Sequence, residues 1–397
     1  MKTRIIAILV LSTVSLTMPF NVPAETLPGS QKQKGKKATV SQLAGSWKQV
    51  DSLANLNQPQ SALAAVSKIY AHAVKEKNDP QVIKAIIYRI RLNSEFQENF
   101  LTKTIVSLQK EISIAGKPSR QILQSILAEI YWKYYQNNQY RFHDRTQVKP
   151  GLPDSIETWD LKTISGAITR TYLLSLENPD SLKGIPIGNF DAIVDCEPFD
   201  TKHKTEQTAS AAKFYPTLYD FLAGRALDYF TTDNATPVFS AHRFEVDQSW
   251  YFSQTLAFIR NKMLIPADST SPNSFALRIF RDLAAFHFQD KDPRALIETE
   301  LKRFAFVHDN YILPGKDSLY TDALQQFEKS CIASPWSTGI SYTLAGYLNE
   351  QGQLYDPISG NAHKWQLKSA IEVCDNAIKR HPGSEGAVNC GILVKSI

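Results

Sequence analysis

Apolar side chains recur every three or four residues along most of this chain. Leu63, Val66, Tyr70 and Ala73 share one helical face, and Ile122, Ile126 and Ile130 share another with Leu123 and Leu127 alongside. A period near 3.6 is the signature of a helix that buries one stripe. Breakers fall at helix-pair intervals, at Asn78-Asp79-Pro80, Gly116-Lys117-Pro118, Asn178-Pro179-Asp180 and Asp292-Pro293. Alternating runs bounded by Asn-Gly or Asp-Gly turns do not occur. The pattern predicts an all-α chain of about fifteen helices, built as stacked hairpins.

Helix pairs raise the question of repeats. Ala370, Cys374, Ala377 and Pro382 keep the offsets of the second helix of a tetratricopeptide (TPR) unit. In such a unit small residues admit the paired helix, an apolar residue fills the seam and proline ends the unit. Thr343 to Leu348 would belong to the first helix, but Asp356 to Lys364 is too long for its loop. Gln58 to Lys77 followed by Asp79 to Asn93 gives a looser pair. A TPR-like or irregular α-solenoid fits, because one hairpin cannot bury its apolar face alone; an irregular bundle is the alternative.

Residues 141–160 and 184–215 are polar and proline-containing, and read as long connections. Phe214 to Ala223 starts another helix, with Pro216 suited to its first turn and its aromatics suited to a core. The expected organisation is a leader over 1–24, a disordered basic linker over 25–40, a helical subdomain over 41–183, a connection over 184–213 and a second helical subdomain over 214–397.

The leader follows from Lys2 and Arg4, a short apolar run from Ile5 to Val14, and Val22-Pro23-Ala24 at the cleavage position. No later stretch is apolar for long enough to span a bilayer. The mature chain is therefore expected in the periplasm or cell envelope. The formal charge of +5 resides in the leader and in Lys32, Lys34, Lys36 and Lys37 against Glu25, so residues 38–397 are net neutral. A neutral body carries no electrostatic footprint for nucleic acid. Cys196, Cys331, Cys374 and Cys390 are too few for a disulfide framework and lack zinc spacing. Cys374 and Cys390 fall on successive predicted helices, where they either meet as a pair or stay two buried thiols.

Catalytic patterns are sparse. There is no His-Glu-x-x-His, Gly-x-Ser-x-Gly, Walker loop or Gly-x-Gly-x-x-Gly. Ser107 and Lys110 form a Ser-x-x-Lys, yet the Ser-Asp-Asn and Lys-Thr-Gly partners of penicillin-binding enzymes are missing. His287 with Asp290, and His308 beside Asp309, are conceivable metal ligands, but exposed helix residues explain them better. Asp290 and Asp292 suit a helix start. Tyr70, Tyr88, Tyr134 and Tyr135 could line a peptide- or glycan-binding groove, although their spacing suits a core. The reading is no catalytic residue, no metal ligand and no cofactor.

Asp-Ser before an apolar residue or Thr recurs at Asp51-Ser52-Leu53, Asp154-Ser155-Ile156, Asp180-Ser181-Leu182, Asp268-Ser269-Thr270 and Asp317-Ser318-Leu319. It resembles the O-glycosylation signal of exported Bacteroidetes proteins; helix capping is the plain physical reading. Longer segments carry a further likeness. Trp47-Lys48-Gln49-Val50-Asp51, Leu127 to Tyr135, Glu157-Thr158-Trp159-Asp160, Ser175-Leu176-Glu177-Asn178 and Pro216 to Ala223 resemble the helical N-terminal region of bacterial alpha-2-macroglobulin family proteins of the Bacteroidetes type. The resemblance runs in order across 41–397. It implies an envelope protein in which macroglobulin domains follow and proteases are trapped. No Cys-Gly-Glu-Gln thioester sequence is present, so the expectation is a non-catalytic scaffold or docking segment, whether a fragment or a natural truncated product. Its partners would be downstream macroglobulin domains, envelope proteins and, through the whole protein, proteases. An autonomous periplasmic TPR-like protein binding a peptide or glycan is the alternative.

Overall fold

The structure, a computed structural model, describes residues 34–143, 155–194, 214–232, 244–261, 271–358 and 360–397. Among them the chain is all-α, with seventeen helices packed as hairpins and no strand. Isolated backbone bridges join Pro186 with Thr217 and Val246 with Tyr311 among the described residues. The chain divides into two compact units: residues 1–212 with 216–228, and 213–215 with 229–397.

In the first unit, α1 (Lys34–Asn55), α2 (Pro59–Lys75), α3 (Asp79–Ser94), α4 (Phe100–Ile114) and α5 (Ser119–Asn137) each pack on the next. The short α6 (Gln139–His143) follows, and α7 (Leu161–Ser175) returns against α5. The predicted breakers delimit these helices. Asn78 caps α3 by accepting from the Gln81 amide at 3.4 Å, and Pro80 occupies its first turn. Asp160 caps α7 through the Thr163 amide at 2.7 Å. Trp47, Val50, Ala62, Val66, Ile69, Ala85, Tyr88 and Leu92 form one buried cluster across α1–α3. At Asn178, which precedes α8 (Pro179–Lys183), φ is 60°, a left-handed turn that Asn tolerates better than most residues.

Three expectations change. Residues 34–40 fall inside the expected disordered linker but are the first turns of α1; between Lys34 and Asn55 there is no proline, and only Gly35 and Gly45 oppose helix formation. Part of the expected connection after 183 is ordered, as a 3₁₀ turn (Ile187–Phe190) and α9 (Asp191–Val194), which packs on α3. Residues 216–228, expected in the second subdomain, belong to the first unit. There α10 (Leu218–Phe230) begins two residues past Pro216, behind a reciprocal cap in which the Thr217 amide and hydroxyl donate to Asp220, both at 2.8 Å. Arg225 of α10 reaches α5, donating to Ser125 Oγ at 2.8 Å and to Glu129 at 2.7 Å, while Lys133 also pairs with Glu129 at 3.1 Å. A half-hidden ion pair 96 residues apart in sequence leaves no trace in local periodicity.

In the second unit, α11 (Thr255–Arg260), α12 (Pro272–His287), α13 (Arg294–Asn310), α14 (Lys316–Ser330) and α15 (Ser337–Gln353) again pack in succession. The last helices, α16 (Gln366–Arg380) and α17 (Glu385–Ser396), pack on α15 and on each other. Ala370, Cys374 and Ala377, the residues at TPR-like offsets, are fully buried on α16. Where α17 crosses α15 the approach is close enough that a Cβ on Gly386 would lie 2.3 Å from the Thr338 carbonyl carbon. Arg303 anchors the unit's centre. Fully buried, it pairs with Glu300, donates to the carbonyls of Tyr251 and Ser253, and lies 4.2 Å from the ring centroids of both Phe258 and Phe304.

Candidate functional site

His287 is not an exposed helix residue: it is buried, next to the Phe286 ring, with Nδ1 2.6 Å from Asp290. The reason is register, since His287 continues the buried stripe of Phe280, Leu283 and Ala284. His308 is also largely covered. Its ring lies 4.7 Å from that of Tyr320 and 5.3 Å from that of Tyr347, and its Nε2 is 2.9 Å from Asp317. Tyr347 donates to the same Asp317 oxygen at 2.7 Å. Bonds from His308 and then Tyr347 hold the Asp317 carboxyl below its ordinary value. Burial, then Asp309 and Glu350, push the Tyr320 phenol up to about 12. This cluster ties α13, α14 and α15 together. Asp309 reaches His308 only at 3.3 Å. Among the described residues no group of three His, Cys, Asp or Glu is placed to hold a metal ion.

Asp290 and Asp292 part company. Asp290 binds back to His287 at the end of α12, and Asp292 pairs with Arg294 at the start of α13. The Asp-Ser sites divide as well. Ser155 caps the 3₁₀ turn Ile156–Thr158, accepting from the Glu157 amide at 3.3 Å, and Asp180 and Asp317 lie in first turns. Asp51 is no cap: it sits inside α1 and accepts from Tyr88 at 2.9 Å. Asp154, Asp268, His203, His242 and Cys196 lie outside the described residues. Tyr88, Tyr134 and Tyr135 are buried, and Tyr70 bonds to Glu111. Cys374 and Cys390 are both buried free thiols, near enough to hydrogen-bond to each other.

One concave feature collects groups without partners. Between α3 and α4 lies a cleft of about 200 Å³, floored by Ile86, Ile90 and Leu108. Asn93 and Gln97 line one side, and Thr104 and Ser107 the other. None of these four side chains has a hydrogen-bond partner among the described residues, although Thr104 is buried. Arg89 and Lys103 add positive charge; Arg89 pairs with Glu111 at 3.5 Å, and Lys103 is exposed. Ser107 thus lines a cleft, whereas Lys110, the lysine of the Ser-x-x-Lys spacing, is exposed. Pockets for whole small molecules usually hold 300–1,000 Å³, so this one suits a single side chain. Of the cleft's residues the sequence singles out Ser107 alone, and local periodicity gives no signal for the polar rim.

The fold defines a class: among the described residues, helical hairpins stacked in sequence. No protein-family model matches the chain, and neither a curated protein nor a solved structure matches it. No helix among the described residues is long and apolar enough to cross a membrane.

Proposed function

We propose that the chain is a non-catalytic docking segment of an exported, alpha-2-macroglobulin-like envelope protein, and that the α3–α4 cleft receives a side chain from its partner. The cleft carries this reading. It gathers four polar side chains, Asn93, Gln97, Thr104 and Ser107, over an apolar floor and beside Arg89 and Lys103. Polar side chains open to water in a concave site can exchange that water for a partner's hydrogen bonds. The charge favours an acidic or carbonyl-bearing side chain.

The segments that carry the family resemblance support a structural role. Trp47 stacks on Tyr88 at 4.6 Å and donates to Gln81 at 2.7 Å, Trp159 stacks on Tyr131 at 5.5 Å, and Leu218 to Ala223 are buried. Each is core-forming, as a shared scaffold would require. An autonomous groove for a glycan fits less well, because three of the four tyrosines suited to line it are buried.

The test is a photo-crosslinking residue at Ser107 in the native cell envelope, compared with one at exposed Lys68. Crosslinks to a macroglobulin-domain polypeptide or another envelope protein from position 107, and not from 68, are expected. Equal or absent crosslinking from both positions removes the cleft from the reading. Reading the gene beyond the codon for Ile397 tests the family part separately: macroglobulin domains in frame support it, and an unrelated gene counts against it.

A further inference from the structure

The two cysteines of the last hairpin are placed as a reactive pair. α16 ends at Arg380, six residues past Cys374, and α17 begins at Glu385, five residues before Cys390. In a hairpin whose helices pack on each other, nearly equal distances from the turn bring the two positions about level, at about 1.5 Å per residue on each arm. Both residues are fully buried, and their thiols are near enough to hydrogen-bond to each other. Ala370 and Ala377, on the same stripe of α16 as Cys374, are small and buried, which suits a close approach of the paired helix. Cys331, the other described thiol, sits elsewhere and bonds to Ser330 at 3.6 Å.

We infer that Cys374 and Cys390 are a disulfide-forming site that locks α16 to α17 when the protein meets an oxidising thiol–disulfide exchange partner. The pair has the asymmetry that exchange uses. The hydrogen bond from Cys390 holds the Cys374 thiol below its ordinary range despite burial, while the same bond, and then burial, push Cys390 up. Exchange can start from Cys374 as the attacking sulfur, and the same steps balance from Cys390. The Cys374 thiolate attacks a disulfide of an oxidised dithiol oxidoreductase, forming a mixed disulfide and releasing one catalyst sulfur as thiolate. Cys390 then gives up its proton to that sulfur and attacks Cys374 of the mixed disulfide, expelling the second catalyst sulfur. The chain loses two electrons and two protons, and the catalyst gains both. Because both sulfurs are buried in the closed hairpin, exchange belongs to folding or to a transient opening of α17.

For its oxidant in the cell the inference rests on the export reading, and the experiment separates the two. Full-length chain is made with its leader in an exporting host, and without it in a reducing cytoplasm. Each sample is alkylated in denaturant, digested without reduction and mapped by mass. Exported protein is expected to give one crosslinked peptide pair joining the segments of Cys374 and Cys390, short by the mass of two hydrogens and abolished by Cys390→Ser. The cytoplasmic protein is expected to give alkylated thiols at both positions, and then the same crosslink after incubation with oxidised glutathione in mild denaturant. A crosslink only in the glutathione arm upholds the pair and overturns export. Alkylated thiols at both positions in both arms, or disulfides from Cys374 to Cys331 or Cys196, overturn the pair. Cys374→Ala/Cys390→Ala, if it retains the helical circular-dichroism signal, should lose the difference in denaturant midpoint between reduced and oxidised protein.

Discussion

Replacing Arg303 by Met is the most direct probe of how the second unit is held together. The guanidinium is fully buried, paired with the equally buried Glu300, donates to the Tyr251 and Ser253 carbonyls, and is sandwiched between Phe258 and Phe304. Methionine keeps much of the volume and removes the charge. What remains is a carboxylate in the core without its cation, and two carbonyls without a donor. Removing one partner of a buried pair costs about 3–5 kcal/mol, and two desolvated cation–π contacts are lost in addition. With a urea slope of about 1–3 kcal/mol per molar, the midpoint should fall by about 1 M or more. The measurement is urea unfolding followed by far-ultraviolet circular dichroism, run on wild type, Arg303→Met, Glu300→Gln and the double variant. The double variant should be more stable than Arg303→Met alone, because neutralising position 300 removes the stranded charge. A loss under about 1 kcal/mol for Arg303→Met, or a double variant no more stable than that single one, would refute the reasoning.

Gly386→Ala should destabilise by about 1–3 kcal/mol in the same assay, since its Cβ would meet the backbone of α15 at 2.3–2.5 Å and overpacking exceeds the gain in helix propensity. Gly391→Ala is the control: its Cβ meets only Ile378 at 3.9 Å, so the change should be neutral or slightly stabilising. Asp317 has a lowered folded pKa, so its contribution is present above the ordinary carboxylate value of about 4 and is lost as pH falls through the folded value. The gap in melting temperature between wild type and Asp317→Asn should therefore shrink on acidification from pH 7 towards pH 3, and a constant gap would count against the cluster. Tyr251 and Tyr320 are raised to about 12, so the stability they contribute is complete below about pH 10 and declines as pH approaches 12. Spectrophotometric titration should show these two phenols ionising late, and Tyr320→Phe should remove one late group.

The local pattern determined the helices themselves. A 3.6-residue period, Asn78 and Asp160 as caps, and proline at first turns are properties of short stretches, because each helix closes its hydrogen bonds within itself. The stripe of Ala370, Cys374 and Ala377 announced its burial for the same reason. Which hairpins share a unit was decided only by tertiary structure, through Arg225 reaching Glu129 and Arg303 entering a cage of two rings and two carbonyls. So were the burial of His287, the partnership of His308 with Asp317 and Tyr347, and the polar rim of the α3–α4 cleft. Those features depend on side chains brought together from different helices, and a polar residue reads the same in sequence whether it faces water, an ion-pair partner or an empty cleft. Periodicity assigns a face to a residue; only the packing of one helix on another assigns its company.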